Sequence, residues 1–182
     1  MTMIEVLREE HRNIGRLLRA LDHQIDVFAA AEAPDYDVIV GVADYFLDYP
    51  DRCHHPKEDL IISRLREAHP AAAAKVGDLS GEHKALHQKA HRFRETVRLL
   101  LNDTDIARSQ VVEAARAFID AQWRHLRSEE ASFLPLAERL LTATDLAAIE
   151  DRLSKSADPV FGGRVEAMFA TLSARLLAWE SE

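Results

Sequence analysis

Residues 4–28 read IEVLREEHRNIGRLLRALDHQIDVF. Ile4, Leu7, Ile14, Leu18, Leu21, Ile25 and Phe28 recur in steps of three, four and seven, which is one face of an amphipathic helix. His11 stands on that face, four residues after Leu7 and three before Ile14. A polar ring on an apolar stripe is carried inside with it, and a buried polar group has to be met by a partner. The segment therefore predicts a helix that packs against others and brings something polar into the core.

Three more long helical patterns follow. The second spans about 36–67, with Val42, Phe46, Tyr49, Ile61, Ile62 and Leu65 as its stripe. Pro50 and Pro56 lie within it and predict a kink or break over 49–56. The third spans about 71–101, with Val76, Leu79, Leu86, Ala90, Val97 and Leu101. Asn102-Asp103-Thr104 reads as the next turn, Asp103 or Thr104 as a helix cap. The fourth runs to about Leu141 through Val111, Ala115, Phe118, Leu136 and Leu140. Thr144 reads as the cap of a short helix near 145–154, residues 157–163 as a loop, and 164–179 as a last amphipathic helix. Four long helices joined by short turns predict an all-α fold: an up-down-up-down four-helix bundle over 1–141. A short C-terminal helical extension over 142–182 is expected to pack on it.

Composition agrees. Gly and Pro together make 12 of the 182 residues, about half the usual share. Lys plus Arg is 23 against 31 for Asp plus Glu, a net charge of −8, which argues against a nucleic-acid groove or an anionic membrane surface. One cysteine excludes a disulfide framework and a thiolate zinc cage. There is no long apolar run, and the acidic first ten residues lack a signal-peptide core. The expectation is a cytoplasmic, single-domain protein.

The halves of the chain repeat one another. Glu10-His11-Arg12-Asn13-Ile14 is echoed by Glu82-His83-Lys84-Ala85-Leu86, and His54-His55-Pro56-Lys57-Glu58-Asp59 by His125-Leu126-Arg127-Ser128-Glu129-Glu130. Each half supplies a His on one helix and His-x-x-x-Glu on the next. His83 is followed one turn later by His87. Residues four apart on a helix point the same way, so His54 with Glu58, His83 with His87, and His125 with Glu129 can each meet at one site. Two inward glutamates need cations, and Arg94 is the one basic residue near these stripes. Imidazole plus carboxylate without thiolate suits iron, manganese or zinc.

This order of residues resembles the hemerythrin-like HHE cation-binding family over about 4–141. The resemblance implies a non-haem di-iron centre, with zinc or manganese as alternative metals. It implies one iron on His83, His87 and His125, a second on His11 and His54, and Glu58 and Glu129 as bridges. Glu130 is the alternative bridge, and Pro56 leaves the choice between His54 and His55 open. With the family's oxo or hydroxo bridge, one coordination position stays free on the iron with two histidines. The implied function is reversible binding of O2 or NO for sensing, storage or delivery. A di-iron redox enzyme handling peroxide or nitric oxide, or an iron-handling or iron–sulfur repair protein, is the alternative. No His has Glu three residues before it, so the ferritin-like Glu-x-x-His pattern is absent. A homodimer or a protein partner is left open. His23, His55, His69 and His91 read as surface, Cys53 as a buried inert thiol, Trp123 and Phe118 as core, and Tyr45 and Tyr49 as packing or pocket residues.

Overall fold

The computed structural model describes residues 2–102, 105–153 and 158–181. Asp103, Thr104, Ser154 and Ala157, which entered the expectations above, lie outside the described residues. Every regular element described is helical, and among the described residues no helix is long and apolar enough to cross a membrane.

Helix α1 (Met3–Ala29) starts at a reciprocal cap: Thr2 Oγ1 accepts the Glu5 N–H at 3.2 Å, and Glu5 accepts the Thr2 N–H at 2.6 Å. Helix α2 (Tyr36–Tyr49) is capped by Asp35, which accepts the N–H groups of Asp37 and Val38. Of the kink or break expected over 49–56, the break does not occur, and the helix is irregular there instead. A π-helical turn over Pro50–His54, closed by the His55 N–H on the Pro50 carbonyl, leads straight into α3 (His55–Ala68). The same device recurs in the other half. Helix α6 (Arg108–Ser128) passes through a π turn over Glu129–Phe133, with the Leu134 N–H on the Glu129 carbonyl, into α7 (Leu134–Leu140). Each π turn ends two residues before a proline, Pro56 or Pro135. Proline has no N–H and its ring pushes away the carbonyl four residues back, and the wider turn absorbs that displacement without ending the rod.

Between the halves the chain departs from the expected helix start at 71. A single turn, α4 (Pro70–Ala73), is followed by Gly77 at φ 87°, a left-handed backbone that glycine adopts freely. Asp78 then caps α5 (Leu79–Leu101) through the Gly81 N–H at 3.1 Å. Thr142, rather than Thr144, caps α8 (Ala143–Glu150). The last helix begins later than expected, after a 3-10 turn at Ala167–Phe169, as α9 (Ala170–Trp179).

Helix α1 packs on α2 and α6, and α5 packs on the same two, so four rods enclose the interior. Helix α9 lies on α2 and α8 on α3. The interior holds two apolar clusters. One joins Ile14, Leu18, Phe46, Phe93 and Phe118 to Phe169 and Leu172 of the extension. The other joins Met3, Leu7, Ile62, Leu79, Phe133 and Ile149. Each rod crosses from one to the other at its histidine: His11 lies between Leu7 and Ile14, and His125 and Glu129 between Phe118 and Phe133.

The extension is seated by close contact. A Cβ on Gly41 would stand 2.9 Å from Leu172 Cβ. Asp158 accepts the N–H groups of Val160 and Phe161 and the Tyr45 hydroxyl, each at 2.9 Å. Tyr45 and Tyr49 are both buried core. Gly41→Leu is expected to lower stability by about 1–3 kcal/mol through overpacking, enough to move the melting temperature by several degrees. Calorimetric melting of the full chain checks this, and an unchanged transition would remove Gly41 as the seat of α9.

Candidate metal centre

Seven buried side chains form the polar layer between the two apolar clusters: His11 from α1, His54, His55 and Glu58 from the π turn and α3, His83 from α5, and His125 and Glu129 from α6 and its π turn. Glu58 and Glu129 sit at the centre, 0% and 1% exposed.

Each carboxylate faces both ways. Glu58 Oε1 lies 3.5 Å from His11 Nε2 and 3.4 Å from His54 Nε2, while its Oε2 lies 3.3 Å from His83 Nε2. Glu129 Oε2 lies 3.4 Å from His11 Nε2, while its Oε1 lies 3.1 Å from His125 Nε2 and 3.8 Å from His83 Nε2. Donor atoms thus gather into two groups, His11, His54, Glu58 and Glu129 on one side and His55, Glu58, His83 and His125 on the other. Two donors each about 2.1 Å from one ion stand about 3.0–3.4 Å apart for right-angled to tetrahedral geometry, and the donor pairs here lie 3.1–3.8 Å apart.

The four Nε2 atoms of His11, His54, His83 and His125, and all four oxygens of Glu58 and Glu129, are buried without a hydrogen-bond partner. Such an orphan atom costs about 1–3 kcal/mol, so the layer calls for cations at its centre. The outward nitrogens are treated in the opposite way. His11 Nδ1 meets Glu130 at 2.8 Å, His54 Nδ1 meets Glu10 at 2.9 Å, His55 Nδ1 meets Asp51 at 2.9 Å, and His125 Nδ1 meets Glu82 at 3.1 Å. His83 is the exception: Asp59 stands 3.6 Å from its Nδ1, which is buried without a hydrogen-bond partner. A carboxylate accepting the Nδ1–H fixes the tautomer, leaves the Nε2 lone pair facing inward and raises its basicity, the arrangement typical of metal-binding histidines. Lys57 in turn contacts Glu10.

Six of the seven residues expected to bind metal come together here: His11, His54, Glu58, His83, His125 and Glu129. His87 does not. Its side chain is 37% exposed and its Nδ1 rests on Asp51, while its ring meets His91 edge-on. His55, expected at the surface, takes the place instead, stacked on His83 with ring centroids 3.8 Å apart. The cause is the π turn before α3. Successive His54 and His55 diverge from it to the two sides of Glu58, and the His55 ring fills the space in front of His83. Glu129 is the inner glutamate, and Glu130 holds His11 from outside, with its side chain 40% exposed. Glu10 and Glu82 were not singled out by spacing, although each precedes its histidine in the repeated Glu-His pair and each crosses to the histidine of the next rod.

The metal-free layer balances its charge with protons. Burial disfavours the imidazolium of His11 and His83, but the Glu58 and Glu129 carboxylates outweigh it and raise these groups to about 9 and about 10. Burial, helped by the Glu58 charge, raises Glu129 to about 8. Burial lowers His125 to about 4. A metal ion needs these groups deprotonated, so binding near pH 7 is expected to release protons and to weaken as pH falls below about 9. Titration calorimetry of the metal-free chain in buffers of different ionisation enthalpy reads the release directly, and a buffer-independent heat would refute it.

The family model of the hemerythrin HHE cation-binding domain matches residues 2–137. No curated protein and no solved structure matches the chain. The matched span carries every residue of the polar layer, from His11 to Glu129, and the chain belongs to the hemerythrin HHE cation-binding domain family.

Proposed function

We propose that the chain is a non-haem di-iron protein that reversibly binds a small diatomic ligand such as O2 or NO, with residues 1–141 folded as an up-down-up-down bundle around the iron pair. The observation that carries the proposal is the division of oxygens: each of the two buried glutamates offers one oxygen to the His11/His54 side and the other to the His83 side. A carboxylate presented this way would bridge two ions rather than serve as a terminal ligand of one.

The residues that would hold the iron pair are His11 and His54 on one side, His83, His125 and His55 on the other, and Glu58 and Glu129 between. Bound there, an iron pair would supply a redox-active centre able to take up a diatomic ligand. The chain's own groups do the rest. Glu10, Glu130, Glu82 and Asp51 hold the imidazoles in orientation, and the apolar clusters above and below keep bulk water away. Neutral imidazoles outnumber carboxylates in this set. Oxygen activation usually relies on carboxylate-rich sites that stabilise high-valent iron, so the balance favours reversible binding.

Iron-loaded protein should contain about two irons per chain by elemental analysis, and its reduced form should change its optical spectrum under O2 or NO and recover on purging. Irreversible consumption of O2 would move the assignment to the redox-enzyme reading, and zinc alone after iron loading would defeat it. The two neighbouring histidines separate the ligand sets. His55→Ala is expected to lose much of the bound metal and melt lower, while His87→Ala keeps both near the unsubstituted values. The reverse result would return His87 to the site.

A further inference from the structure

The metal layer uses the inward faces of the rods, but a groove of about 550 Å³ remains on the outside, between α1 and α6. Five arginines rim it: Arg8, Arg12, Arg16, Arg19 and Arg127. Its floor is the partly buried Trp123 ring with Leu126, and its exposed lining is mostly apolar. The inner end is His11 with Glu130, the one acidic residue of the lining. Such a concentration of guanidinium groups is unexpected on a chain of net charge −8.

The five are not alike. Arg8 is tied to Glu138 at 2.8 Å, Arg16 to Glu180 at 2.6 Å, and Arg12 contacts Glu9. Arg19 and Arg127 have no carboxylate within ion-pair distance among the described residues. Both flank the aromatic floor. Arg127 follows Trp123 by one helical turn, and Arg19 follows Gly15 by one turn on α1. A Cβ on Gly15 would meet Trp123 Cη2 at 3.0 Å and Arg19 Nη1 at 3.5 Å, so the bare glycine is what lets ring and guanidinium share this place. Gly15 stands four residues after His11, where the other half of the repeat has His87. The departure from symmetry opens the groove.

We propose that this groove binds one small, flat, apolar anion of the aromatic carboxylate class. Its ring lies over Trp123 and its anionic group is held between Arg19 and Arg127. A planar guanidinium pairs with a carboxylate through two parallel N–H donors, and an indole face offers a stacking surface. The volume is that of a site for a single drug-sized molecule, and is short for a peptide or nucleic-acid strand. The assignment does not depend on the metal reading, because neither Arg19 nor Arg127 belongs to the polar layer.

The test is calorimetric titration of the full chain with 2-naphthoate, alongside the indole N–H resonance of a Trp179→Phe variant, in which Trp123 is the remaining tryptophan. One molecule is expected to bind per chain, shifting the Trp123 resonance. Arg19→Glu and Arg127→Glu should each weaken binding by about tenfold, the scale of one lost charge-assisted hydrogen-bonded contact. Metal content should stay at the unsubstituted level in both variants, which separates this result from the fate of the iron assignment. Binding of 2-naphthylmethylammonium with equal affinity, unaltered affinity in both arginine variants, or no binding of 2-naphthoate would each overturn the proposal.

Discussion

Two glutamates with no exposed surface to speak of, surrounded by imidazole lone pairs, cannot be held in an apolar interior without positive charge among them. That constraint organises the molecule. Glu58 and Glu129 are the only acids among the seven side chains of the layer, and each turns its oxygens to opposite sides. Protons on His11, His83 and Glu129 supply the balance near neutral pH when no ion is present. Divalent or trivalent cations supply it with far better geometry, because one ion meets several lone pairs at once while a proton meets two.

Around this centre the outer carboxylates form a second layer of opposite orientation. Glu10, Glu82, Glu130 and Asp51 take the outward nitrogens of His54, His125, His11 and His55, and so leave the inward nitrogens of these four rings free to donate their lone pairs. The pairing runs between rods: Glu10 of α1 serves His54 before α3, and Glu82 of α5 serves His125 of α6. Each rod therefore orients a ligand that belongs to its neighbour. The site's geometry is a property of how the rods pack, and the packing is reinforced by the site.

Much of this was readable in the residues. The stripe through Ile4, Leu7 and Ile14 placed His11 inside, and the echo between 54–59 and 125–130 placed two His-x-x-x-Glu pairs on facing rods. What periodicity misread follows from its own premise. It assigns every residue about 100° of turn, and a π turn breaks that count without leaving a hydrophobic signature. The prolines at 56 and 135 were the visible trace, but a proline announces only that a helix is disturbed, not that an extra residue will be absorbed. Hence His55 falls on the surface of an ideal helix, whereas the turn sets it against His83; the His87 expectation rests on its four-residue spacing from His83 and on the family resemblance, on a helix without a π turn. Glu10 and Glu82 were overlooked for another reason. They sit beside the stripe, where a glutamate is unremarked in a helix, and only their recurrence before a histidine marked them. Trp123, expected in the core, packs against its edge beside Gly15 and stays partly exposed.

The division of the interior into two apolar clusters has a mechanical consequence. Residues such as Phe46 and Phe118 on one side and Leu7 and Phe133 on the other belong to separate apolar clusters among the described residues, and the rods and the polar layer join them. With cations in place that layer would be a plate clamped by all four rods, and the molecule would come apart as one body. With the cations gone it becomes a hydratable seam across the middle of the bundle. Occupancy of the plate then sets the length over which the protein folds cooperatively, and either end is able to loosen while the other holds.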